Sequence, residues 1–469
     1  MAIPQTDPAR CGLSWATKVI ASGVAYTERD PHDIFRQSCN WMAAPDEVMR
    51  AVMKTRDPRP LMALTPEIDV SEALVTTRLN GVTAYAKRFG DQGFAVVSDP
   101  SVEPAFTPTA VPRAPDFSNI AWPTGDRVEI EPNATGADVA KLNAALDLGF
   151  ENPRQMTNAF LVVHKGELLA ERYREPYGPQ TQFESWSMGK TIAATLVGMA
   201  IQNGALDLDE PAGFEAWRSD DRSKITVRNL LNMASGLSFT GSYGRSEDNS
   251  VKQENGRFLD HIYVYAGGVN SLEFCLDKPL ADSPGQAGRY RNCDPLLATS
   301  VVRERVCGGS IEDFLSWPYQ ALFHRIGATG MILETDPYGH FLISGHDYGR
   351  ARDWARLGLL HLQKGAWEGE QLFPEAFAEF VRTPAADAWK DDPSYGGFVY
   401  VNATQHFKTL PKDAFIMSGG GRQRVVVVPS LDLVLVRLGH INGVGAGVDA
   451  TLDQVYGQIV EALPSGTPN

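Results

Sequence analysis

The chain has 469 residues, of which 43% are hydrophobic and 21% are charged, and its formal net charge is −14 at pH 7. A chain of this length can bury a sizeable core without metal ions or disulfide bonds. The acidic balance, with no basic stripe, argues against nucleic acid and anionic membrane surfaces as partners. The cysteines are odd in number and lack metal-ligand spacing, so we expect no disulfide framework, no metal and no cofactor.

No segment approaches the roughly 20 consecutive apolar residues that are needed to span a bilayer. The first thirty residues contain charges and no hydrophobic block of the kind found in signal peptides. We therefore expect a cytoplasmic protein without a membrane partner.

Residues 1–130 predict an N-terminal extension. The stretch 45–54 has helical periodicity, and residues 93–97 read as a strand. Residues 104–123 are rich in proline, which predicts a linker on the surface.

The next part of the chain predicts a helix over 138–148 and a β-hairpin over 160–173 with its turn at Lys165-Gly166. A short loop then leads to Ser187-Met188-Gly189-Lys190. These residues open an apolar stretch that ends at Asn203-Gly204, where glycine supplies a helix stop. The spacing predicts that Ser187 and Lys190 share one face of the first helical turn.

This pair carries the chemistry of an activated nucleophile. A serine hydroxyl attacks a carbonyl only when a neighbouring base takes its proton, and Lys190 is placed to do so. A helix N-terminus also favours the negative charge that develops during the attack. Ser-x-x-Lys arises by chance as well, in which case the two side chains lie on a surface helix start, so the rest of the chain has to decide.

Two later segments support the catalytic interpretation. Tyr290-Arg291-Asn292 follows a turn-rich stretch, and a phenol beside a lysine can shuttle a proton, which makes Tyr290 a candidate catalytic residue. Near the end, 424–429 and 433–438 predict two strands, preceded by Met417-Ser418-Gly419-Gly420-Gly421. Glycines on a strand edge let substrate approach the backbone, so Gly419 and Gly420 are candidate substrate contacts, with the Gly420 N–H completing an oxyanion hole. A helix is expected over 448–463.

Together, Ser187-x-x-Lys190, Tyr290-x-Asn292 and the Ser418-Gly419-Gly420 strand resemble the serine β-lactamase and penicillin-binding protein superfamily. The similarity is greatest to the class C-like branch, and within it to 6-aminohexanoate-dimer hydrolases and related esterases. It covers roughly residues 155–460.

The resemblance implies an α/β (α+β) fold with an antiparallel sheet flanked by helices. Residues 131–205 and 395–469 would form the sheet domain, and residues 206–394 an inserted, mainly helical domain. The site would lie in the groove between the two domains, a common place for clefts.

The resemblance further implies hydrolysis of small linear amides or esters through an acyl-enzyme on Ser187. Asn292 is expected to hold Lys190 or a substrate amide by a hydrogen bond. The polar segment 240–256 reads as a long loop, and related amide hydrolases close such a loop over substrate through a tyrosine, for which Tyr243 is the candidate.

The chain also departs from the family pattern. Met417-Ser418-Gly419 stands where many relatives carry Lys-Thr-Gly or His-x-Gly, so the cation that grips a β-lactam carboxylate is missing. This argues against a penicillin-recognising enzyme. Arg422 and Arg424 could substitute for that cation, and strand alternation would put them on one face with Gly420, but the sequence leaves open whether this face is the site.

Several alternatives stay open at this stage. A second Tyr-x-Asn, Tyr400-Val401-Asn402, fits the family order badly, so Tyr290 is preferred. A Ser-His-Asp triad could use His346 with Asp347, or His440, although no Gly-x-Ser-x-Gly surrounds any serine. A D-peptidase or β-lactamase, and a binding protein that is acylated without turnover, are the competing functions. The assembly state, including a homodimer, is left open.

Overall fold

The computed structural model describes residues 2–44, 48, 51, 54–55, 59–128, 136–152, 155–242, 256–440 and 448–464. The helix predicted over 45–54 lies largely outside these residues. The α-helices in chain order are α1 (Pro8–Thr27), α2 (Pro31–Ile34), α3 (Asn40–Ala43), α4 (Arg59–Met62), α5 (Val139–Glu151), α6 (Gly189–Gln202), α7 (Val227–Leu231), α8 (Asp260–Ala266), α9 (Ser271–Leu276), α10 (Cys293–Cys307), α11 (Ile311–Pro318), α12 (Ala351–Leu362), α13 (Glu375–Arg382) and α14 (Val448–Ala462).

The strands form two larger sheets and two small ones. In chain order they are β1 (Glu67–Val70), β2 (Leu74–Leu79), β3 (Val82–Arg88), β4 (Phe94–Val97), β5 (Thr157–His164), β6 (Glu167–Tyr173), β7 (Phe183–Glu184), β8 (Ile332–Leu333), β9 (Asp347–Gly349), β10 (Ala366–Trp367), β11 (Glu370–Gln371), β12 (Tyr400–Val401), β13 (Phe415–Gly419), β14 (Gln423–Val428) and β15 (Leu433–Gly439).

The N-terminal part contains a sheet that the sequence analysis recognised only at its last strand. Strands β1 to β4 pair in chain order, all antiparallel, and α1 packs against them. Asn80-Gly81 joins β2 to β3 with positive φ at both residues, the conformation of a tight hairpin turn. That dipeptide is the sequence signal that identifies this hairpin.

The central sheet has six strands in the order β12-β13-β14-β15-β5-β6, and every neighbouring pair is antiparallel. The hairpin predicted over 160–173 is confirmed as β5 and β6, and the two predicted C-terminal strands are confirmed as β14 and β15. The register of β15 against β5 joins the two chain segments that the sequence analysis assigned to one sheet domain.

Both faces of the central sheet are covered. Val425 and Val427 of β14 belong to the core on the side of α6 and α12, whereas Val426 and Val428 belong to the core under α5 and α14. A sheet covered on both faces is apolar at consecutive positions, which explains the unbroken valine run. The mixed α/β fold with an antiparallel sheet flanked by helices agrees with the prediction.

Between α6 and β12, the described residues are mainly helical, with α7 to α13 and only short strands. Helix α10 of this part packs against α6 of the sheet part. Among the described residues, none of the helices combines the length and the apolar character needed to cross a bilayer.

Candidate active site

Ser187 and Lys190 lie side by side at the start of α6. Trp186–Met188 forms a 3₁₀ turn that runs directly into α6. A 3₁₀ turn has three residues per turn, so residues i and i+3 eclipse one another. A hydrogen bond of 2.9 Å joins Lys190 Nζ to Ser187 Oγ, and Lys190 Nζ also donates to the Ser344 carbonyl oxygen at 2.6 Å.

The Lys190 amine is buried, with 1% of the residue exposed. This burial lowers its pKa well below the usual lysine value, an effect that the nearby Asp347 carboxyl opposes. Burial also disfavours the charged form of Asp347 and raises its pKa to about 8, although the Ser185 hydroxyl and Lys190 both act to lower it. Ser185 Oγ donates to Asp347 Oδ2, while Asp347 Oδ1 has no hydrogen-bond partner among the described residues. Burial thus favours the uncharged form of both groups, and an uncharged amine is the form that can accept a proton.

Tyr290 completes this cluster. Its ring centroid lies 4.8 Å from Lys190 Nζ, and its ring stacks on Tyr400 at 6.0 Å and meets Tyr395 edge-on at 5.9 Å. Only 4% of Tyr290 is exposed. The structure thus brings together the three residues that the sequence analysis assigned to catalysis.

The glycines after Ser418 allow β13 to approach the nucleophile segment closely. A Cβ atom at Gly419 would lie 2.1 Å from the Ser185 carbonyl oxygen, so no larger residue fits there without a shift. At Gly420 the same atom would lie 3.4 Å from Cγ of Trp186. Gly419 and Gly420 therefore lie against Ser185 and Trp186, the two residues that directly precede Ser187. The role of the Gly420 N–H in an oxyanion hole stays a prediction.

The expected strand alternation from Gly420 to Arg424 is wrong. Strand β13 ends at Gly419, and a turn over Gly420–Arg422, with positive φ at Gly421 and Arg422, reverses the chain before β14 begins. Arg424 pairs across the strands with Ser418, so both side chains share one face. Both Arg422 and Arg424 line the same cavity as Ser187, which answers the question that the sequence left open.

This cavity has a volume of about 450 Å³. Besides Ser187 and Tyr290, its lining residues include the following aromatic and charged side chains: Trp389, Tyr400, Phe407, His406, Arg422, Arg424 and Asp449. A larger groove of about 880 Å³ lies elsewhere and contains none of the predicted site residues. We assign the site to the smaller cavity because it contains the Ser187 hydroxyl.

At the charged end of the cavity, two arginines pair with one aspartate. Arg422 Nε lies 2.8 Å and Arg424 Nη2 3.7 Å from Asp449 Oδ1, and Arg424 Nη1 donates to Ser418 Oγ at 2.6 Å. Burial acts to raise the pKa of Asp449, but His406 and the two arginines together hold it at about 2. Asp449 is therefore ionised at neutral pH.

Asn292 lies immediately before α10 and is buried. Its Nδ2 donates to the His261 carbonyl oxygen at 2.6 Å, while its Oδ1 is buried without a partner among the described residues. The expected contact with Lys190 or with a substrate amide stays a prediction. Tyr243, the predicted loop residue, lies outside the described residues.

The residues of the alternative triad have other neighbours. His440 Nδ1 lies 3.1 Å from Glu184 Oε1, and the His346 ring packs edge-on against Tyr265 at 4.8 Å. In the part of the chain that the structure describes, neither histidine forms a hydrogen bond with Ser187. Asn402 of the second Tyr-x-Asn donates to the carbonyl oxygens of 407, 410 and 411, which gives it a role in holding that loop.

The sequence analysis missed three contributors to the site. Asp347 was considered only beside His346 and not as the carboxyl behind Lys190. The Ser344 carbonyl that receives the Lys190 N–H has no sequence signature. Trp186, directly before Ser187, adopts a left-handed conformation with φ of 52°, which costs about 1–2 kcal/mol for a non-glycine residue.

Comparison with known proteins gives a consistent result. A family model described as Beta-lactamase matches residues 154–458. A 6-aminohexanoate-dimer hydrolase from Paenarthrobacter ureafaciens is 23% identical over 70% of this chain and 86% of its own length. A family VIII carboxylesterase has a TM-score of 0.53 at 14% identity, over 71% of this chain and 99% of its own.

A penicillin-binding protein homologue from Caulobacter crescentus also has a TM-score of 0.53, at 15% identity, and the match covers 72% of this chain and 99% of that one. At such identities, structural likeness shows the fold alone.

Proposed function

This chain belongs to the beta-lactamase family, and on that premise we propose that it is a serine hydrolase that cleaves small linear amides or esters through an acyl-enzyme on Ser187. The observation that carries the proposal is the 2.9 Å contact between Ser187 Oγ and the buried Lys190 amine, beside Tyr290 and in one cavity with Gly420. The names of two similar proteins, an amide-dimer hydrolase and a carboxylesterase, point to the same bond types.

In the proposed first step, Ser187 Oγ attacks the substrate carbonyl carbon while its proton passes to Lys190. The carbonyl oxygen becomes an oxyanion that accepts hydrogen bonds from the N–H groups of Ser187 and Gly420. The tetrahedral intermediate then collapses, and Tyr290 delivers the proton that Lys190 received to the departing amine or alcohol.

In the second step, water attacks the acyl-enzyme carbonyl and gives a proton to the same pair of groups. The ester bond to Ser187 breaks, the serine oxygen takes the proton back, and the free acid leaves. No oxidant, reductant or further group enters the cycle, because hydrolysis consumes only water.

The shape and lining of the cavity support small substrates. A volume of about 450 Å³ lies within the range of small-molecule sites. Trp389, Tyr400 and Phe407 contribute aromatic surface that suits an aliphatic or aromatic acyl chain, and the charged cluster suits a polar end group. We therefore expect substrates with a short apolar chain between the scissile carbonyl and a polar end.

The experiment that tests the proposal compares the parent protein with Ser187→Ala on p-nitrophenyl esters and anilides. We expect turnover by the parent and loss of at least a thousandfold in the variant, since the nucleophile is gone. Intact mass after treatment with a fluorophosphonate should show one adduct on the parent and on the control Ser223→Ala, an exposed serine, and none on Ser187→Ala. Undiminished hydrolysis by Ser187→Ala would reject the proposal.

A D-peptidase or β-lactamase is the second candidate, because Arg424 lines the cavity and could receive a substrate carboxylate. Rapid hydrolysis of a chromogenic cephalosporin, relative to the esters, would favour it. The third alternative, a binding protein, predicts a stable fluorophosphonate or acyl adduct on Ser187 without turnover of any ester.

A further inference from the structure

Helix α1 contacts the residue that precedes the nucleophile, although it lies outside the matched family region, which begins at residue 154. The Trp15 ring centroid lies 5.2 Å from that of Trp186, with the planes inclined by 34°. Trp15 is 2% exposed, so its ring is almost fully enclosed. The N-terminal part of the chain therefore contributes a wall, formed by Trp15, that packs against the residue next to Ser187.

Trp186 connects this wall to both predicted oxyanion donors. It is the chain neighbour of Ser187, and a Cβ atom at Gly420 would lie 3.4 Å from its ring. Its φ of 52° is an outlier for a bulky residue, and such conformations persist only where the surroundings hold them. The packing of the Trp186 ring is therefore in a position to affect both the Ser187 backbone and the space beside Gly420.

The same helix also reaches the other side of the site. Lys18 Nζ lies 2.7 Å from Glu334 Oε2, and both side chains are fully buried. The Glu334 N–H in turn donates to the His346 carbonyl oxygen at 3.1 Å, two residues beyond the Ser344 carbonyl that accepts from Lys190. Helix α1 thus braces the segments that carry both Ser187 and the Lys190 acceptor.

We propose that Trp15 is a positioning residue of this enzyme: by packing against Trp186, it holds the Ser187 hydroxyl and the Gly420 N–H in the orientation that carbonyl attack requires. The inference rests on the proposed function. It assigns the N-terminal part a role in the reaction beyond that of an appended layer.

The test measures kcat and KM on a p-nitrophenyl ester and the second-order rate constant of fluorophosphonate labelling. Displacements of about 1 Å can cost about a hundredfold in rate. We therefore expect Trp15→Leu to lower kcat and the labelling rate constant about 10- to 100-fold while KM changes less than twofold. Trp15→Phe retains an aromatic ring, so its kcat and labelling rate constant should be only about threefold lower than those of the parent.

The matched control is Ile34→Ala. Ile34 is fully buried and packs against Gly23 of α1, away from Trp15 along the helix. The substitution therefore removes core volume from the same layer. It should lower the melting temperature comparably and leave the labelling rate constant of the folded protein unchanged. All rates are taken well below the lowest melting temperature, so that they report on folded protein.

Labelling of folded Trp15→Leu at the parent rate, or a decrease no larger than that of Ile34→Ala, would overturn the inference. If Trp15→Leu does not fold, Trp15→Phe decides alone: a threefold slower reaction at constant KM supports the role, and the parent rate refutes it. Ser187→Ala is run in parallel. If that variant is labelled as the parent is, the proposed function itself has failed, and the inference fails with it.

Discussion

Two buried basic side chains lie at the cavity, Lys190 beside Ser187 and Arg424 in the lining, and burial affects their charge in opposite ways. At one end, burial lowers the pKa of Lys190, and its carboxyl neighbour Asp347 has a pKa raised to about 8. At the other end, burial also lowers the pKa of Arg424, but a guanidinium starts so high that it stays charged. Its carboxyl neighbour Asp449 is ionised, with a pKa of about 2.

The difference shows how one cavity can separate proton transfer from charge recognition. Burial favours the uncharged forms of the Lys190 amine and the Asp347 carboxyl, and an uncharged amine suits the activation of a nucleophile. An arginine cluster with a fixed charge cannot act as a base, but it can orient a polar group. The choice of lysine at one end and arginine at the other therefore matches the roles that we propose.

The strongest way to break this comparison is Lys190→Arg, which introduces a permanent cation and removes the base. We expect kcat on p-nitrophenyl esters to fall by about 10²- to 10⁴-fold, because arginine does not accept a proton at working pH. Lys165→Arg, in the exposed β5–β6 turn, is the control and should leave kcat unchanged. A Lys190→Arg variant within tenfold of the parent would mean that charge, and not basicity, is what the site needs.

Arg424→Met tests the other end. For an ester that carries a carboxylate at its far end, we expect KM to rise about 10- to 100-fold, since hydrogen bonds to charged groups contribute about 1.5–3 kcal/mol. The same compound capped as a methyl ester should be hydrolysed as by the parent. An equal rise in KM for both compounds would instead indicate general damage to the strand pair.

Asp449→Asn sharpens the comparison from the opposite side. Removing this carboxylate leaves Arg422 and Arg424 with more uncompensated charge, so KM for the carboxylate-bearing ester should fall about threefold, as for a partly exposed pair worth about 1 kcal/mol or less. The gain should shrink at high salt because screening weakens the attraction. Measurements at low and high ionic strength check both points, and a KM that rises would contradict the assignment.

The smallest expected effect on rate is that of Asp347→Asn. Because the folded-state pKa of this carboxyl is raised, the stability it contributes is present below its ordinary pKa and is lost as the pH rises through about 8. Asparagine does not ionise, so the melting temperature of the variant relative to the parent should increase between pH 5 and pH 9. At pH 7, kcat should stay within about threefold. A constant difference in melting temperature across that range would show that Asp347 is ionised throughout.

The sequence allowed prediction of those parts of the site whose geometry is local. Ser187 and Lys190 are three residues apart, so one turn of helix fixes their contact whatever surrounds them. Tyr290 and Gly420 were nominated from a turn-rich lead-in and from glycines at a strand edge, and the order of the three motifs then supported them through the family resemblance. The β5–β6 hairpin was equally accessible because its turn residues are consecutive.

Contacts between distant segments could not be predicted in the same way. Asp347 lies beside Lys190, and Trp15 beside Trp186, only because the whole chain has folded around α1 and α6. The prediction of a strand from Gly420 to Arg424 was wrong for a different reason. Gly421 and Arg422 form a turn, and a run of glycines alone does not indicate where a strand ends. By contrast, Asn80-Gly81 was a readable turn signal that went unused.

The pairing of β5 with β15 has a consequence for how the protein is made. Leu433 pairs with His164, so on the ribosome β5 emerges roughly 270 residues before its central partner. At 5–20 residues per second, the nascent hairpin of β5 and β6 waits on the order of ten seconds to a minute with one apolar edge unpaired. Completion of the sheet is therefore a late event of biosynthesis, and any slowing of translation downstream of β6 lengthens the exposure of that edge to aggregation.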